Sequence, residues 1–485
     1  MLANARTLRA VLLWLCAGGA ALSCSAAATG LPAEVEAALA RAKVPADAIA
    51  IVVQEAGGNV PRLAWRASQP SNPASVTKLV TTYAALDLLG PAWTWATPVW
   101  LNGRLGADGV LDGDLVIKGS GDPSLVFERV WLVLRRVRQA GVREIKGDIV
   151  LDRSAFQVAE RSPADFDGEP LRPYNAQPDA LLLNYRSIAL VFTPRPASGI
   201  ALVAIDPPLH GVAVDASVPL RAASACGDWR SELKLDVSDA SRIRLRGEFA
   251  AACGAKSWPL ATADPGGYNA RVLEAMWREA GGTLGGRVHD GTAPQTVPDF
   301  EFDSPPLAQV VRDINKFSNN VMAQQLFLTL GLQATGVGSE RSARDTLAAW
   351  LHGAIGSRAE GVVLDNGSGL SRDTRISAAA LAALLQSAWT SPVMPEFVAS
   401  LPILAQDGTL RRARGEAAAR FAGRAHLKTG SLQGVVAIAG YLLTPDAKRY
   451  VIVAIVNHPN AQAARPALDA LLAWAMRPES PSARR

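Results

Sequence analysis

The chain has 485 residues, of which 49% are hydrophobic and 19% are charged, so it can bury more than one core and is not intrinsically disordered. Its formal net charge of +5 is dispersed, and no basic run is interleaved with aromatic residues, which argues against a nucleic-acid-binding protein. Peripheral association with an anionic membrane or polymer surface stays open, because net charge alone does not decide it.

The first residues of the chain have the features of a secretory signal peptide. Arg6 and Arg9 precede an apolar run over residues 10–22 that is too short to span a bilayer, and small residues follow it. We predict that residues 1–28 are removed on export and that the mature protein lies in the periplasm. Cys24 also fits a loose lipoprotein attachment site, which is the less favoured alternative. No later segment offers about 18 uninterrupted apolar residues.

The cysteines of the mature chain are Cys226 and Cys253, since the other two fall in or beside the signal peptide. An even pair in an exported chain indicates one disulfide, which would close a loop of 253 − 226 = 27 positions. The alternative is a pair of buried thiols. The five histidines are scattered and no C-x-x-C spacing occurs, so we expect no metal site and no cofactor.

The order of the predicted elements indicates one α/β domain that is interrupted by an insertion. A strand over residues 48–58 and a helix over 75–89 open the chain, and many short apolar runs between Gly, Pro and Asp follow. Helices return near residue 305, before a hairpin of two apolar strands and a last amphipathic helix. The predicted organisation is an α/β (α+β) domain over 30–97 and 297–477, a β-rich insertion of one or two subdomains over 98–296, and a disordered tail over 478–485.

A serine and a lysine stand three residues apart at the start of the first long helix, in the stretch NPASVTKLV. On a helix, Ser75 and Lys78 share a face, and a lysine that burial or a nearby cation makes neutral can take the proton of the serine. Backbone N–H groups at the helix start can also stabilise an oxyanion. The alternative, which holds for most isolated S-x-x-K sequences, is that Ser75 caps the helix and Lys78 is solvated.

Two further motifs follow in the order that serine acyl-transferases use. Ser318 and Asn320 form an S-x-N motif at the junction of two predicted helices, and Lys428, Thr429 and Gly430 form K-T-G before the last hairpin. Each alone can be a polar loop or turn. Together with S-x-x-K they make the signature of penicillin-binding proteins and class A β-lactamases. The first gap, 318 − 75 = 243 positions, is too long for a compact class A β-lactamase, and the insertion fills it.

The three motifs and several other segments resemble the penicillin-binding protein 4 type of D-alanyl-D-alanine carboxypeptidase/endopeptidase, peptidase family S13. The other segments are GDLVIKGSGDPSL at 113–125, KGDIVLDRSAF at 146–156, PYNAQPDALLLNY at 173–185 and LDNGSGLSR at 364–372. The resemblance covers essentially the whole mature chain and implies a penicillin-recognising transpeptidase/β-lactamase-like fold. It also implies a serine acyl-enzyme that cleaves peptidoglycan stem peptides or cross-links and reacts with β-lactam antibiotics.

The resemblance implies a catalytic role for five motif residues. Ser75 would be the nucleophile, Lys78 its base, and Lys428 a positive charge that keeps Lys78 neutral. Ser318 would relay a proton to the leaving amine, and Asn320 would bond the substrate amide. After acyl transfer to the serine, water would release the acyl group.

The same resemblance implies two groups of substrate-binding residues. Thr429 would bind the terminal carboxylate, Gly430 and Ser431 continue this strand, and the N–H groups of Ser75 and Ser431 would form an oxyanion hole. A second group would hold the diaminopimelate end of the donor stem and consists of Asp152, Phe156, Arg372 and Gln433. The alternatives are that the aspartate merely ends a strand and that the arginine only makes a surface ion pair.

The other classes of function are a serine β-lactamase or esterase and a non-catalytic envelope protein that binds penicillin or peptidoglycan. Class C β-lactamases prefer a tyrosine where Ser318 stands, and a Ser-His-Asp hydrolase needs a G-x-S-x-G elbow, which Asn366 breaks in DNGSGL. Loss of a motif residue would favour the non-catalytic protein, and all motif residues are intact. Carboxypeptidase and endopeptidase activity, and a monomer and a dimer, are equally compatible with the sequence.

Overall fold

The structure is a computed structural model and describes residues 30–222, 225–413 and 415–478. The predicted signal peptide over residues 1–28, with the alternative attachment site Cys24, lies outside the described residues, and so does the predicted tail apart from Pro478. Within the described part of the chain, no helix combines the length and the apolar composition that a membrane span requires.

Helices occur mainly in the two terminal parts of the chain. In chain order they are α1 (Ala33–Arg41), α2 (Lys78–Leu89), α3 (Phe127–Gln139), α4 (Tyr268–Glu279), α5 (Leu307–Phe317), α6 (Asn320–Thr335), α7 (Glu340–Ile355), α8 (Ala378–Thr390), α9 (Met394–Ser400), α10 (Glu416–Arg420) and α11 (Arg465–Ala475).

Most of the strands lie in the middle of the chain, between α2 and α5. The strands before residue 200 are β1 (Ile49–Glu55), β2 (Pro61–Trp65), β3 (Pro70–Ser71), β4 (Ala96–Leu105), β5 (Val110–Lys118), β6 (Glu144–Ile145), β7 (Ile149–Asp152), β8 (Phe156–Gln157) and β9 (Ser187–Arg195). Those up to residue 303 are β10 (Ile200–Asp206), β11 (Ala213–Val214), β12 (Ser217–Arg221), β13 (Leu233–Asp239), β14 (Arg242–Gly247), β15 (Phe249–Ala250), β16 (Lys256–Ala261), β17 (Thr283–Leu284), β18 (Val288–Gly291) and β19 (Phe300–Asp303). The last ones are β20 (Gly338–Ser339), β21 (Ile376–Ser377), β22 (Ala425–Leu432), β23 (Val435–Leu443) and β24 (Arg449–Asn457).

A five-stranded antiparallel sheet in the order β2-β1-β24-β23-β22 joins the two ends of the chain. Its inner strands are runs of Val, Ile and Ala because both faces of the sheet are buried. Alternate residues of β1 point to opposite faces, so Ala50 and Val52 pack with α2, α5, α6 and α8, whereas Ile51 and Val53 pack with α1 and α11. Two hydrophobic cores therefore enclose the sheet.

The middle of the chain forms three more sheets around a core of its own. The largest contains β4–β7 and β17–β19, and β9–β16 make up the other two. With α3 and α4 they enclose a buried cluster that includes Leu134, Phe192 and Trp277. Cys226 and Cys253 form the predicted disulfide beside this core. We propose that this region is the inserted domain.

The largest of these sheets extends past the predicted insertion bounds of 98 and 296. β4 begins at Ala96, and β19 pairs with it in antiparallel register, from Phe300 opposite Val99 to Asp303 opposite Ala96. A four-residue edge strand cannot be told from a linker by its sequence pattern, because it is too short to show an alternation. We propose residues 96–303 as the bounds of the insertion.

Gln325 of α6 connects the part of the structure around the five-stranded sheet to the proposed insertion. Its buried side chain accepts from the N–H of Asp179 at 2.8 Å and donates to the carbonyl oxygens of Asp179 and Gly121 at 2.8 and 3.2 Å. Since a buried amide that is left unpaired is destabilising, these bonds fix α6 in one position relative to the insertion.

Candidate active site

Ser75 lies in a 3₁₀ turn over Ala74–Thr77, directly before α2, and its side chain does not cap the helix. Ala74 has a φ of 49°, a conformation that L residues rarely adopt. Asn72 supports the turn, because its side-chain oxygen accepts from the N–H of Ala74 at 2.9 Å. The predicted helix therefore begins later, at Lys78, and the half-buried serine hydroxyl projects from the turn.

The amine of Lys78 lies at the centre of the site and is fully buried. Its Nζ lies 3.1 Å from Oγ of Ser75, 2.6 Å from Oδ1 of Asn320 and 2.6 Å from the carbonyl oxygen of Ser368. A neutral amine has two hydrogens and one lone pair. The two shorter contacts can therefore take the hydrogens, and the lone pair then faces the serine hydroxyl.

Ser318 and Asn320 lie where α5 ends and α6 begins. Ser318 ends α5 in the left-handed conformation, with a φ of 56°, and the side chain of Asn319 caps α6 by accepting from the N–H of Met322 at 3.1 Å. This sharp junction directs Oγ of Ser318 to within 2.8 Å of Nζ of Lys428. The second motif thus contacts both lysines of the site.

The K-T-G motif lies within β22, an edge strand of the central sheet, and strand alternation separates its side chains. Lys428 and Gly430 face the turn that carries Ser75. A Cβ atom on Gly430 would lie only 2.4 Å from the carbonyl oxygen of Pro73 and 3.3 Å from the nitrogen of Ser75. Glycine is therefore needed here, because any larger residue would push the strand away from the serine.

Burial lowers the pKa of both lysines. The pKa of Lys78 lies well below its ordinary value, first because the side chain is desolvated and second because Lys428 repels its protonated form. Desolvation also lowers the pKa of Lys428, to about 7. Both effects on Lys78 favour its neutral form, which is the form that can accept a proton from Ser75, and near pH 7 Lys428 is partly charged.

Arg372 and Gln433 meet at the edge of the cleft. The guanidinium of Arg372 donates to the carbonyl oxygen of Gln433 at 3.1 Å, and it lies 4.9 Å from the ring centroid of Phe166, which belongs to the insertion. Arg372 forms no ion pair within the described part of the chain, contrary to the alternative weighed for it. It bridges the central sheet and the insertion.

The structure does not bring Asp152 and Phe156 into this cleft. Asp152 is 1% exposed, and its two carboxylate oxygens accept from the N–H groups of Ser154 and Ala293, each at 2.9 Å. The ring of Phe156 packs in the core against Gly121. Both side chains are buried in this structure, and their predicted role in binding diaminopimelate stays a prediction.

Three residues that the sequence analysis did not single out contact the motifs. The Ser368 carbonyl accepts from Lys78, Thr409 Oγ1 lies 3.0 Å from Oγ1 of Thr429, and Arg465 donates to Oγ of Ser431 at 3.2 Å. Ser368 lies in the segment LDNGSGLSR, which the sequence did highlight. Thr409 and Arg465 carry no sequence signal, because they reach β22 only through packing.

Residues 31–477 match the D-Ala-D-Ala carboxypeptidase 3 (S13) family. The chain belongs to this family. A D-alanyl-D-alanine carboxypeptidase from an Actinomadura species is 29% identical over 408 residues, which are 80% of this chain and 73% of that protein. The predicted family resemblance is confirmed.

Solved structures agree with the S13 assignment at the level of the fold. The crystal structure of penicillin-binding protein 4 from Haemophilus influenzae matches with a TM-score of 0.74 at 22% identity and covers 92% of this chain and 99% of that chain. A penicillin G-acylated predatory endopeptidase from Bdellovibrio bacteriovorus matches with a TM-score of 0.51 at 15% identity, over 89% and 93% of the two chains. These matches confirm the predicted penicillin-recognising α/β fold.

Proposed function

We propose that this S13 family member is a serine DD-peptidase that acts on peptidoglycan through an acyl-enzyme on Ser75. It would hydrolyse the terminal D-Ala-D-Ala bond of stem peptides, the D-Ala-diaminopimelate bond of cross-links, or both, and β-lactams would acylate the same serine. The observation that carries the proposal is the 3.1 Å contact between Oγ of Ser75 and Nζ of the buried Lys78, whose pKa is lowered. A serine hydroxyl needs such a base to become a nucleophile near neutral pH.

Acylation begins with proton transfer from Ser75 to Lys78. Asn320 and the carbonyl of Ser368, each 2.6 Å from Nζ, hold the two amine hydrogens and leave the lone pair directed at the hydroxyl. Oγ then attacks the carbonyl carbon of the penultimate D-alanine. The same two oxygens stabilise the ammonium group that forms, because each accepts a hydrogen bond from it.

Ser318 and Lys428 supply the proton that leaves with the amine. Nζ of Lys428 donates to Oγ of Ser318 at 2.8 Å, so the hydroxyl hydrogen of Ser318 is free to point towards the leaving nitrogen. A pKa of about 7 allows Lys428 to donate or hold a proton near neutral pH. Collapse of the intermediate leaves an ester on Ser75, a protonated Lys78 and a Lys428 that has given up one proton. Once the proton of Lys78 has been passed to Lys428, Lys78 is neutral again and acts as the base for the water that hydrolyses the ester.

We assign the oxyanion hole to the backbone N–H groups of Ser75 and Ser431. Leu432 and Val435 flank a two-residue turn and therefore form a hydrogen-bonded pair of the hairpin. Such pairs alternate with non-hydrogen-bonded ones, so the N–H of the preceding residue, Ser431, points away from the partner strand β23. Gly430 lies close to the nitrogen of Ser75, which supports the assignment that both N–H groups donate to the same oxyanion. Such donors stabilise the charge that develops in the transition state.

The substrate would bind at both sides of Ser75. The terminal carboxylate is assigned to the hydroxyls of Thr429 and Thr409, which lie 3.0 Å apart. The side chain of the third stem residue is assigned to a pocket of about 310 Å³, whose lining includes Arg372, Asp373 and Phe166. Because this lining carries both signs of charge, it suits the zwitterionic end of diaminopimelate.

The alternatives differ in the fate of the acylated serine. A β-lactamase or esterase would share the first steps but release other acyl groups, and a non-catalytic protein would bind penicillin or peptidoglycan without turnover. The intact contacts of Ser75 with Lys78, and of Ser318 with Lys428, favour turnover. Since peptidoglycan lies outside the cytoplasmic membrane, the function requires export, for which the predicted signal peptide would serve.

The test compares the mature wild-type protein with Ser75→Ala and with Ser257→Ala, a control at an exposed serine of β16. Each is incubated with a pentapeptide monomer, a cross-linked muropeptide dimer and a labelled penicillin, and products are followed by mass. We expect Ser75→Ala to lose peptide turnover by more than about a thousandfold and to lose the penicillin adduct, while the control keeps both. An acylated wild type that changes neither peptide indicates a binding protein, and rapid penicillin hydrolysis without peptide turnover indicates a β-lactamase.

A further inference from the structure

A second cavity lies along the face of β22 from which Thr429 and Ser431 project. Its volume is about 440 Å³, within the range of roughly 300–1,000 Å³ that is usual for ligand pockets. Its polar lining includes Thr409, Arg412 and Arg465 as well as the two β22 hydroxyls, and we call it the arginine pocket. The apolar lining comes from Leu404, Leu410, Val436, Ile438, Leu468 and Leu472.

The charges of the arginine pocket favour an anion. Arg412 and Arg465 are exposed, and neither forms an ion pair with any carboxylate whose side chain the structure describes, a set that leaves out Glu416. Asp469 is the acidic residue of the lining, and desolvation raises its pKa, an effect that the nearby charge of Arg465 opposes. An incoming carboxylate would therefore meet two exposed guanidinium groups, of which the one of Arg465 already donates to Ser431 and Gln462.

Ser431 is oriented to donate into the same space. Its Oγ accepts from Nη2 of Arg465 at 3.2 Å and from Nε2 of Gln462 at 3.1 Å. Its own hydrogen has one protein acceptor in the described residues, Oε1 of Gln462 at 3.5 Å, which is long for a hydroxyl hydrogen bond. With two donors on its oxygen, the hydroxyl is polarised towards donating to a carboxylate.

The position of the arginine pocket decides which part of a substrate can reach it. In the proposed function, Thr429 binds the carboxylate on the leaving side of the scissile bond, and Thr429 also lines the pocket. A leaving D-alanine ends at that carboxylate. The leaving group of a cross-link continues beyond it as a second stem peptide with further carboxylates and apolar methyl and methylene groups.

We propose that the arginine pocket binds the leaving stem peptide of a peptidoglycan cross-link, with Arg412 and Arg465 recognising its carboxylates. The inference rests on the proposed function and deepens it, because it makes cross-link cleavage the reaction that uses the pocket. The apolar lining contacts the methyl and methylene groups of this peptide. When the leaving group is only D-alanine, this part of the pocket stays empty.

The test measures the ratio of kcat/KM for a cross-linked muropeptide dimer to kcat/KM for a pentapeptide monomer. Arg412→Gln removes the charge and one charge-assisted hydrogen bond, so we expect the ratio to fall about tenfold, which corresponds to about 1.4 kcal/mol. Ala413→Phe should lower the ratio by filling the pocket from its half-buried wall. Arg411→Gln, at an exposed neighbour that does not line the pocket, is the matched control and should keep the wild-type ratio.

The outcomes separate the pocket from the catalytic proposal. A lower ratio in Arg412→Gln and Ala413→Phe, with Arg411→Gln unchanged, supports the inference. An unchanged ratio in both pocket variants, or a wild type that releases D-alanine but leaves the dimer intact, overturns it while the DD-peptidase proposal stands. A wild type that acts on neither peptide overturns the proposed function and the inference together.

Discussion

Replacing Gly430 by alanine should separate the K-T-G strand from the nucleophile. The new Cβ would lie 2.4 Å from the carbonyl oxygen of Pro73, whereas ordinary contact begins at 3.4 Å, so the segments must move apart by 3.4 − 2.4 = 1.0 Å. A displacement of about 1 Å in a catalytic geometry slows a reaction about a hundredfold. Gly430 is not among the residues with positive φ, so this steric contact is the whole expected effect.

The assay is the rate of covalent labelling by a fluorescent penicillin, with urea unfolding measured beside it. We expect Gly430→Ala to label about a hundredfold more slowly and to lose about 1–3 kcal/mol of unfolding free energy through overpacking. The control is Gly353→Ala in α7, where a Cβ meets nothing within 4 Å and alanine should add about 0.5–1 kcal/mol of stability without changing the labelling rate. Labelling of Gly430→Ala at the wild-type rate would refute the close approach of β22 to Ser75.

Two further predictions concern a buried charge and the disulfide. Because the pKa of Lys428 falls from 10.5 to about 7 on folding, the unfolded chain binds more protons between these pH values and wild-type stability rises with pH across this window. In Lys428→Met, the unfolding free energy should rise less over that pH window, and penicillin labelling should be at least a hundredfold slower. An equal dependence of unfolding free energy on pH in the variant and the wild type would contradict the burial argument. The double variant Cys226→Ser with Cys253→Ser opens a loop of 27 positions, so we expect a loss of about 3 kcal/mol in urea unfolding with an unchanged labelling rate. A labelling rate that falls with the disulfide would instead link it to the active site.

The parts of the site that lie close together in the chain could be predicted from the sequence. Ser75 and Lys78 are three residues apart, so a single helical turn is enough to bring their side chains together, and they do lie in contact. Only the family resemblance predicted that Lys428 lies near this pair, since no local pattern connects positions so far apart. The predicted helix began at residue 75, whereas α2 begins at Lys78, because the residues before it form a 3₁₀ turn.

The contacts that depend on tertiary packing could not be predicted. Every residue has a carbonyl group, so nothing in the sequence selects the one of Ser368 as a partner of Lys78. Thr409 reaches β22 from a short 3₁₀ turn over Gly408–Leu410, and Arg465 reaches it from the start of α11. Asp152 has a suitable charge for a substrate site, but the turn at Ser154 and the loop at Ala293 take up its oxygens.

The pairing of β1 with β24 sets the time at which activity can appear during synthesis of the protein. Ile51 lies opposite Ala454, which is 454 − 51 = 403 positions later in the chain. The strand with Lys428 joins this sheet through β23, so a nascent chain that lacks β23 and β24 contains the second lysine but not the strands that connect it to β1. Contacts across such long separations form slowly. We therefore expect activity only after nearly all of the sequence has been made and folded, and we expect a chain that ends before β24 to be inactive.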